Sequence, residues 1–163
     1  MRLEVAKLYP LQVELDQRIF TLHDVSRAAT LKARQLALLV ELGECANETR
    51  CFKYWSLQEP AAKEIILEEY GDGIHFLLSL GIDLNDQSQY IETVTAVTDL
   101  TTTYLEAFLA INQLIKDFTL ENYLKAFQAY LNIAVALGFT EADIIEYYLL
   151  KNQKNHDRQD QGY

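Results

Sequence analysis

Turn-forming residues are scarce in this chain. Only two prolines and six glycines are spread over 163 residues. A β-sandwich or a dinucleotide-binding domain of this length carries more of both, so the balance favours helices. Cysteine is also rare. Cys45 and Cys51 are the only two, and their spacing fits neither a disulfide scaffold nor a zinc site. Two reduced thiols in a cytoplasmic protein are the expectation. Long apolar runs are missing, as is a leader with a basic start and an apolar middle, so no membrane association is expected. Basic residues are few as well. The net charge of −10 argues against a protein that coats nucleic acid, which needs a basic surface. Any phosphate ligand must then be met by local Lys, Arg or a metal.

Half of the residues are hydrophobic, and the length suits one domain, residues 1–163. Leu11, Leu15, Ile19 and Leu22 recur at helical spacing behind Pro10, giving a first helix over Leu11–His23. A second covers Ala29–Asn47 and is apolar over much of its circumference. An aromatic loop, Thr49–Glu59, holds Phe52, Tyr54 and Trp55. A third helix is expected from Pro60 to Leu80, stopped by Gly81, and a long fourth from Gln89 to Lys116. Thr119 caps a fifth, Leu120–Leu137, ended by Gly138. Thr140 and Asp143 open a sixth that ends near Lys151. The fold class is all-α: a helical bundle with a four-helix core, shorter additions, and a polar, flexible tail over 151–163.

Two acidic pairs stand out, Glu41-Leu-Gly-Glu44 and Glu69-Tyr-Gly-Asp72. At i,i+3 each pair shares one helix face. Apolar neighbours flank both, and an acidic face turned toward a core is costly unless a cation sits in it. Oxygen-only ligands favour Mg²⁺, with Mn²⁺ as the other option. Asn47 and His75 lie one turn beyond each pair. His75 reads either as a satisfied core histidine or as a group that orients a ligand. Lys53, inside the aromatic loop, is a phosphate contact if the loop borders a metal-held triphosphate. Trp55 is either core or a stacking wall for a base.

Glu41-x-x-Glu44-x-x-Asn47, then Phe52-Lys53-Tyr54-Trp55, then Glu69-x-x-Asp72-x-x-His75-Phe76 resembles the dimeric all-α dUTPases, within the MazG-like NTP pyrophosphohydrolase superfamily. Leu11-Gln12-x-x-Leu15-Asp16 is similar to that family's uracil- and deoxyribose-reading segment. Asp16 departs from members with Asn there and would be an acceptor only. Lys151-Asn152-x-x-Asn155-x-x-Arg158, with Gly162-Tyr163 behind it, is similar to the family's C-terminal phosphate-binding motif.

The resemblance implies Mg²⁺-dependent hydrolysis of dUTP, and of dUDP, to dUMP by a homodimer. Glu41, Glu44, Glu69 and Asp72 would hold the metal, with Glu41 also orienting and deprotonating the water. Gln12, Asp16, Asn47, Lys53, Trp55, His75, Phe76, Lys151, Asn152, Asn155, Arg158 and Tyr163 would contact the nucleotide. The fourth helix, with Tyr104 and Phe108, is the expected dimer face. The alternatives are a related enzyme acting on dCTP or a modified nucleotide, and a non-enzymatic helical interaction module.

Overall fold

The helix boundaries follow local chemistry. Side-chain oxygens of Ser26, Asp99, Thr119 and Thr140 each accept the backbone N–H three residues on, satisfying donors that a helix start leaves unpaired. Thr140 and Asp143 complete a reciprocal capping box. The computed structural model describes residues 1–93 and 99–162. Among the described residues, six α-helices form: α1 (Tyr9–Leu22), α2 (Arg27–Thr49), α3 (Lys63–Asp83), α4 (Leu100–Lys116), α5 (Leu120–Ala136) and α6 (Glu141–Asp160). A small antiparallel pair, β1 (Arg2–Leu3) and β2 (Ile91–Glu92), ties the chain start to the segment before α4, with Leu3 opposite Ile91.

The packing is pairwise. α2 lies along α3, α4 lies along α5, and α6 rests on both α1 and α3. α3 is the central element, because Leu67, Tyr70, Ile74, Leu77 and Leu78 are all buried. The buried tyrosines Tyr70, Tyr123, Tyr130 and Tyr148 fill the space between helices, and Tyr70 and Tyr130 donate to each other's backbone carbonyls.

Four expectations are corrected. The segment from Lys151 is not an irregular tail; α6 runs unbroken to Asp160. It is held against α1 by an Arg18–Asp160 ion pair and by Arg18 and His23 contacts to His156 and Gln159. Gly81 does not end α3. It lies inside the helix, at a position where a Cβ would collide with the Tyr123 and Tyr9 hydroxyls. α3 also starts at Lys63 rather than Pro60. The fourth helix begins at Leu100, with part of its expected N-terminal half paired as β2; residues 94–98 of that stretch, and Tyr163, lie outside the described residues. The weak helix formers Thr101, Thr102 and Thr103 gather at its start, where their hydroxyls bond Cys51 O and Asp99.

Candidate active site

Glu41 projects from α2 toward α3, where Glu69 and Asp72 share a face. One oxygen from each of the three carboxylates lies within 4.8 Å of the others. Packing α2 against α3 brings Glu41 to that face, and i,i+3 spacing sets Glu69 beside Asp72 on it. Burial, then Asp72, Glu44 and Glu69, push the Glu41 carboxyl up to about 7. Burial and the neighbouring carboxylates raise Glu69 as well. Burial raises Asp72 against the opposing pull of Lys151. Glu41 Oε2 is buried with no hydrogen-bond partner among the described residues. An orphaned carboxylate oxygen beside two more carboxylates fits a divalent cation, and an all-oxygen donor set fits a hard one. Glu44 is exposed and stands outside the cluster of three, acting on it through charge alone.

Lys151, from α6, supplies the compensating charge. Its Nζ is 2.5 Å from Asp72 Oδ2 and 3.3 Å from Glu68 Oε1. Lys154 pairs with the same Glu68. Asn155 and Arg158, one and two turns further along α6, face the same space and touch each other.

A cavity of about 390 Å³ opens beside the cluster, between α1, α2, α3 and α6. Gln12, Asp16, Glu41, Asp72, His75, Phe76, Lys151, Asn155 and Arg158 all line it. Its apolar wall comes from Leu15, Ile19, Phe20 and Val25. The expected site residues thus arrive from four separate stretches of sequence. The His75 ring stacks on Tyr148 at 4.2 Å, and burial drives it down to about 3, so the imidazole is neutral.

Other expected residues stand apart from this cavity. Asn47 is exposed and donates to Glu48. Lys53 sits over the Phe52 ring, and Trp55 packs edge-on against Tyr54 while 65 % exposed. Asn152 is buried beside Tyr148.

The sequence reading missed Arg27, Arg34, Ser79 and Asp83. Asp83 accepts from Arg27 at 2.9 Å and from Arg34 at 2.8 Å, and Arg27 also reaches Asp16. A signal was available: Arg27, Arg34 and Glu41 are seven apart, which lines them up on one stripe of α2.

Among the described residues, no helix is long and apolar enough to cross a membrane. No curated protein matches the sequence. The family model described as dUTPase matches residues 4–163, nearly the whole chain. With that match, the six-helix fold and the acidic cluster beside a cavity, the chain belongs to the dUTPase family, whose members are all-α, MazG-like pyrophosphohydrolases.

Proposed function

We propose that the protein hydrolyses dUTP to dUMP and pyrophosphate, and dUDP to dUMP and phosphate, with Mg²⁺ (or Mn²⁺) as cofactor. The observation that carries this reading is the convergence of Glu41, Glu69 and Asp72 with Lys151 and Arg158 at one cavity. Bound by the three carboxylates, the cation would neutralise phosphate charge and make a coordinated water more acidic. Glu44 adds negative charge to the same face.

The protein's own groups divide the remaining work. Glu41 Oε2, which has no hydrogen-bond partner among the described residues, is suited to accept the proton of the attacking water. Arg158 offers a planar fork to phosphate oxygens and Lys151 a point charge, with Asn155 between them. Holding the phosphates and the water together removes entropy from the barrier. Phe76 and the apolar wall exclude water, and Gln12 offers both an amide donor and an acceptor to a base or sugar.

We further read the protein as a cytoplasmic homodimer. Leu36 of α2 and Leu105 and Leu109 of α4 are at least 60 % exposed. Beside them, Gly43, Phe52 and Phe108 line an apolar groove of about 300 Å³. Exposed apolar surface of that kind supports this reading. Tyr104, expected on this face, also lines the groove, nearly buried, with its hydroxyl 3.1 Å from the Cys45 thiol. A dimer would also give the exposed Lys53–Trp55 loop new neighbours.

The test is product release from dUTP, dUDP, dCTP, dTTP and UTP, with Mg²⁺ and with EDTA. Metal-dependent turnover confined to the deoxyuridine nucleotides is expected. Preference for dCTP or a thymine nucleotide would overturn the substrate while keeping the metal cluster.

A further inference from the structure

Asp16, Gln12 and His75 form a hydrogen-bonded line along the cavity, and each residue is at most 5 % exposed. Asp16 Oδ2 accepts from Arg27 Nη2 at 2.7 Å and from Ser79 Oγ at 2.6 Å. Asp16 Oδ1 faces the Gln12 amide at 2.8 Å. A carboxylate bridged by an arginine only accepts, so the Gln12 atom turned toward it must be the nitrogen. The amide is planar, and Gln12 Oε1 therefore points the other way. It lies 2.8 Å from His75 Nδ1 and 3.1 Å from the Tyr148 hydroxyl.

A carbonyl oxygen cannot donate. His75 Nδ1 must carry the proton, and a neutral imidazole has only one. Burial keeps the ring neutral; the nearby Tyr148 backbone carbonyl favours the charged form and Lys151 disfavours it. His75 Nε2 is left as a bare lone pair, buried and with no protein partner among the described residues.

We propose that Asp16, clamped by Arg27 and Ser79, is a positioning residue that fixes the His75 tautomer, so that His75 Nε2 selects ligands bringing a hydrogen-bond donor to that wall of the cavity. A lone pair there repels phosphate oxygens. The donor therefore belongs to the nucleoside half of the substrate, as a ring N–H or a sugar O–H. This second step rests on the nucleotide reading above; the tautomer relay does not.

The relay makes an unusual prediction for Asp16→Asn. Arg27 and Ser79 are both donors, so the new amide must turn its oxygen to them. Its NH₂ then faces Gln12. Gln12 turns over and presents Nε2 to His75 Nδ1, and the imidazole proton moves to Nε2. A substitution that only loosened packing would not invert a tautomer.

The experiment is a long-range ¹H–¹⁵N correlation spectrum of the histidine rings in the whole protein without nucleotide. A pyrrole-type Nδ1 and a pyridine-type Nε2 are expected for His75, with the two types exchanged in Asp16→Asn. A protonated Nε2 in the wild type overturns the relay, whatever the variant's fold. An unchanged pattern in a folded Asp16→Asn does the same. Binding of dUMP, 3-methyl-dUMP and 3′-deoxy-dUMP then separates the two donors. The analogue lacking the relevant one should bind wild type about tenfold more weakly, and the penalty should vanish in Asp16→Asn. Equal binding of all three overturns donor selection and leaves the relay standing. No binding by any nucleotide points instead to failure of the nucleotide reading.

Discussion

Lys151 Nζ lies 2.5 Å from Asp72 Oδ2, so α6 sets a positive charge directly against the carboxylates of α2 and α3. The side chain is nine-tenths buried and also reaches Glu68. Lys151→Met should therefore leave a half-buried acidic cluster without its counter-charge. The expected loss is about 1–3 kcal/mol of stability in EDTA, with part of it recovered in excess Mg²⁺. Urea unfolding in the two buffers checks this. An equal loss in both would detach Lys151 from the cluster.

His75 gives a pH dependence of definite sign. Its folded ring resists protonation down to about pH 3, while the unfolded ring protonates near the ordinary 6.5. Its contribution is fully present above pH 6.5. As pH falls from there toward 3, the unfolded state binds the proton first. Stability then drops by up to about 1.4 kcal/mol per pH unit from this group. The raised carboxyls of Glu41, Glu69 and Asp72 act in the opposite direction, gaining stability on acidification. The comparison that isolates His75 is the slope of unfolding free energy between pH 6.5 and 4.5 in wild type and in His75→Gln. A shallower fall in the variant is expected, and equal slopes would contradict a buried neutral ring.

The glycines divide by what surrounds them. Gly73 faces the Tyr130 hydroxyl and Gly81 the Tyr123 hydroxyl so closely that a methyl group cannot enter without movement. Gly43, in mid-helix, has open space. Gly73→Ala and Gly81→Ala should each cost about 1–3 kcal/mol by overpacking, and Gly43→Ala should gain about 0.5–1 kcal/mol from helix propensity. Thermal melts of the three variants distinguish the cases; destabilisation by Gly43→Ala would show that its face is covered, as in a dimer.

The thiols should separate too. Cys45 is fully buried, and burial pushes it up to about 12, whereas Cys51 is partly exposed. Labelling of the native protein with a thiol reagent at pH 8 should modify one cysteine per chain, with the second reacting only on unfolding. Two fast equivalents would contradict the packing around Tyr104.

Much of this was legible in the sequence, for a physical reason. Capping residues act locally, so Thr119 and Thr140 mark their helix starts without knowledge of the fold. The i,i+3 carboxylate pairs likewise announce a shared face, and α2 against α3 unites three of the four. What was not legible depends on partners distant in sequence. Gly81 reads as a helix stop because Tyr123, 42 positions later, cannot be foreseen beside it. Residues 151–160 read as a loose tail because they are polar; their helix is secured by Arg18 on α1 and by His23 just past its end, both far away in sequence. Arg27 and Arg34 were passed over for the same reason, since their partners Asp16 and Asp83 lie on other helices.

The central claim is that the α2–α3 carboxylate cluster serves metal-dependent hydrolysis of a deoxyuridine nucleotide. Its most direct test is pyrophosphate release from dUTP by wild type and Glu41→Gln, in Mg²⁺ and in EDTA, with thermal melts to show that both fold. The account predicts turnover by wild type in Mg²⁺ only, and a loss of about 100-fold or more in the folded variant. Turnover that persists in EDTA, or a Glu41→Gln protein as fast as wild type, would contradict it.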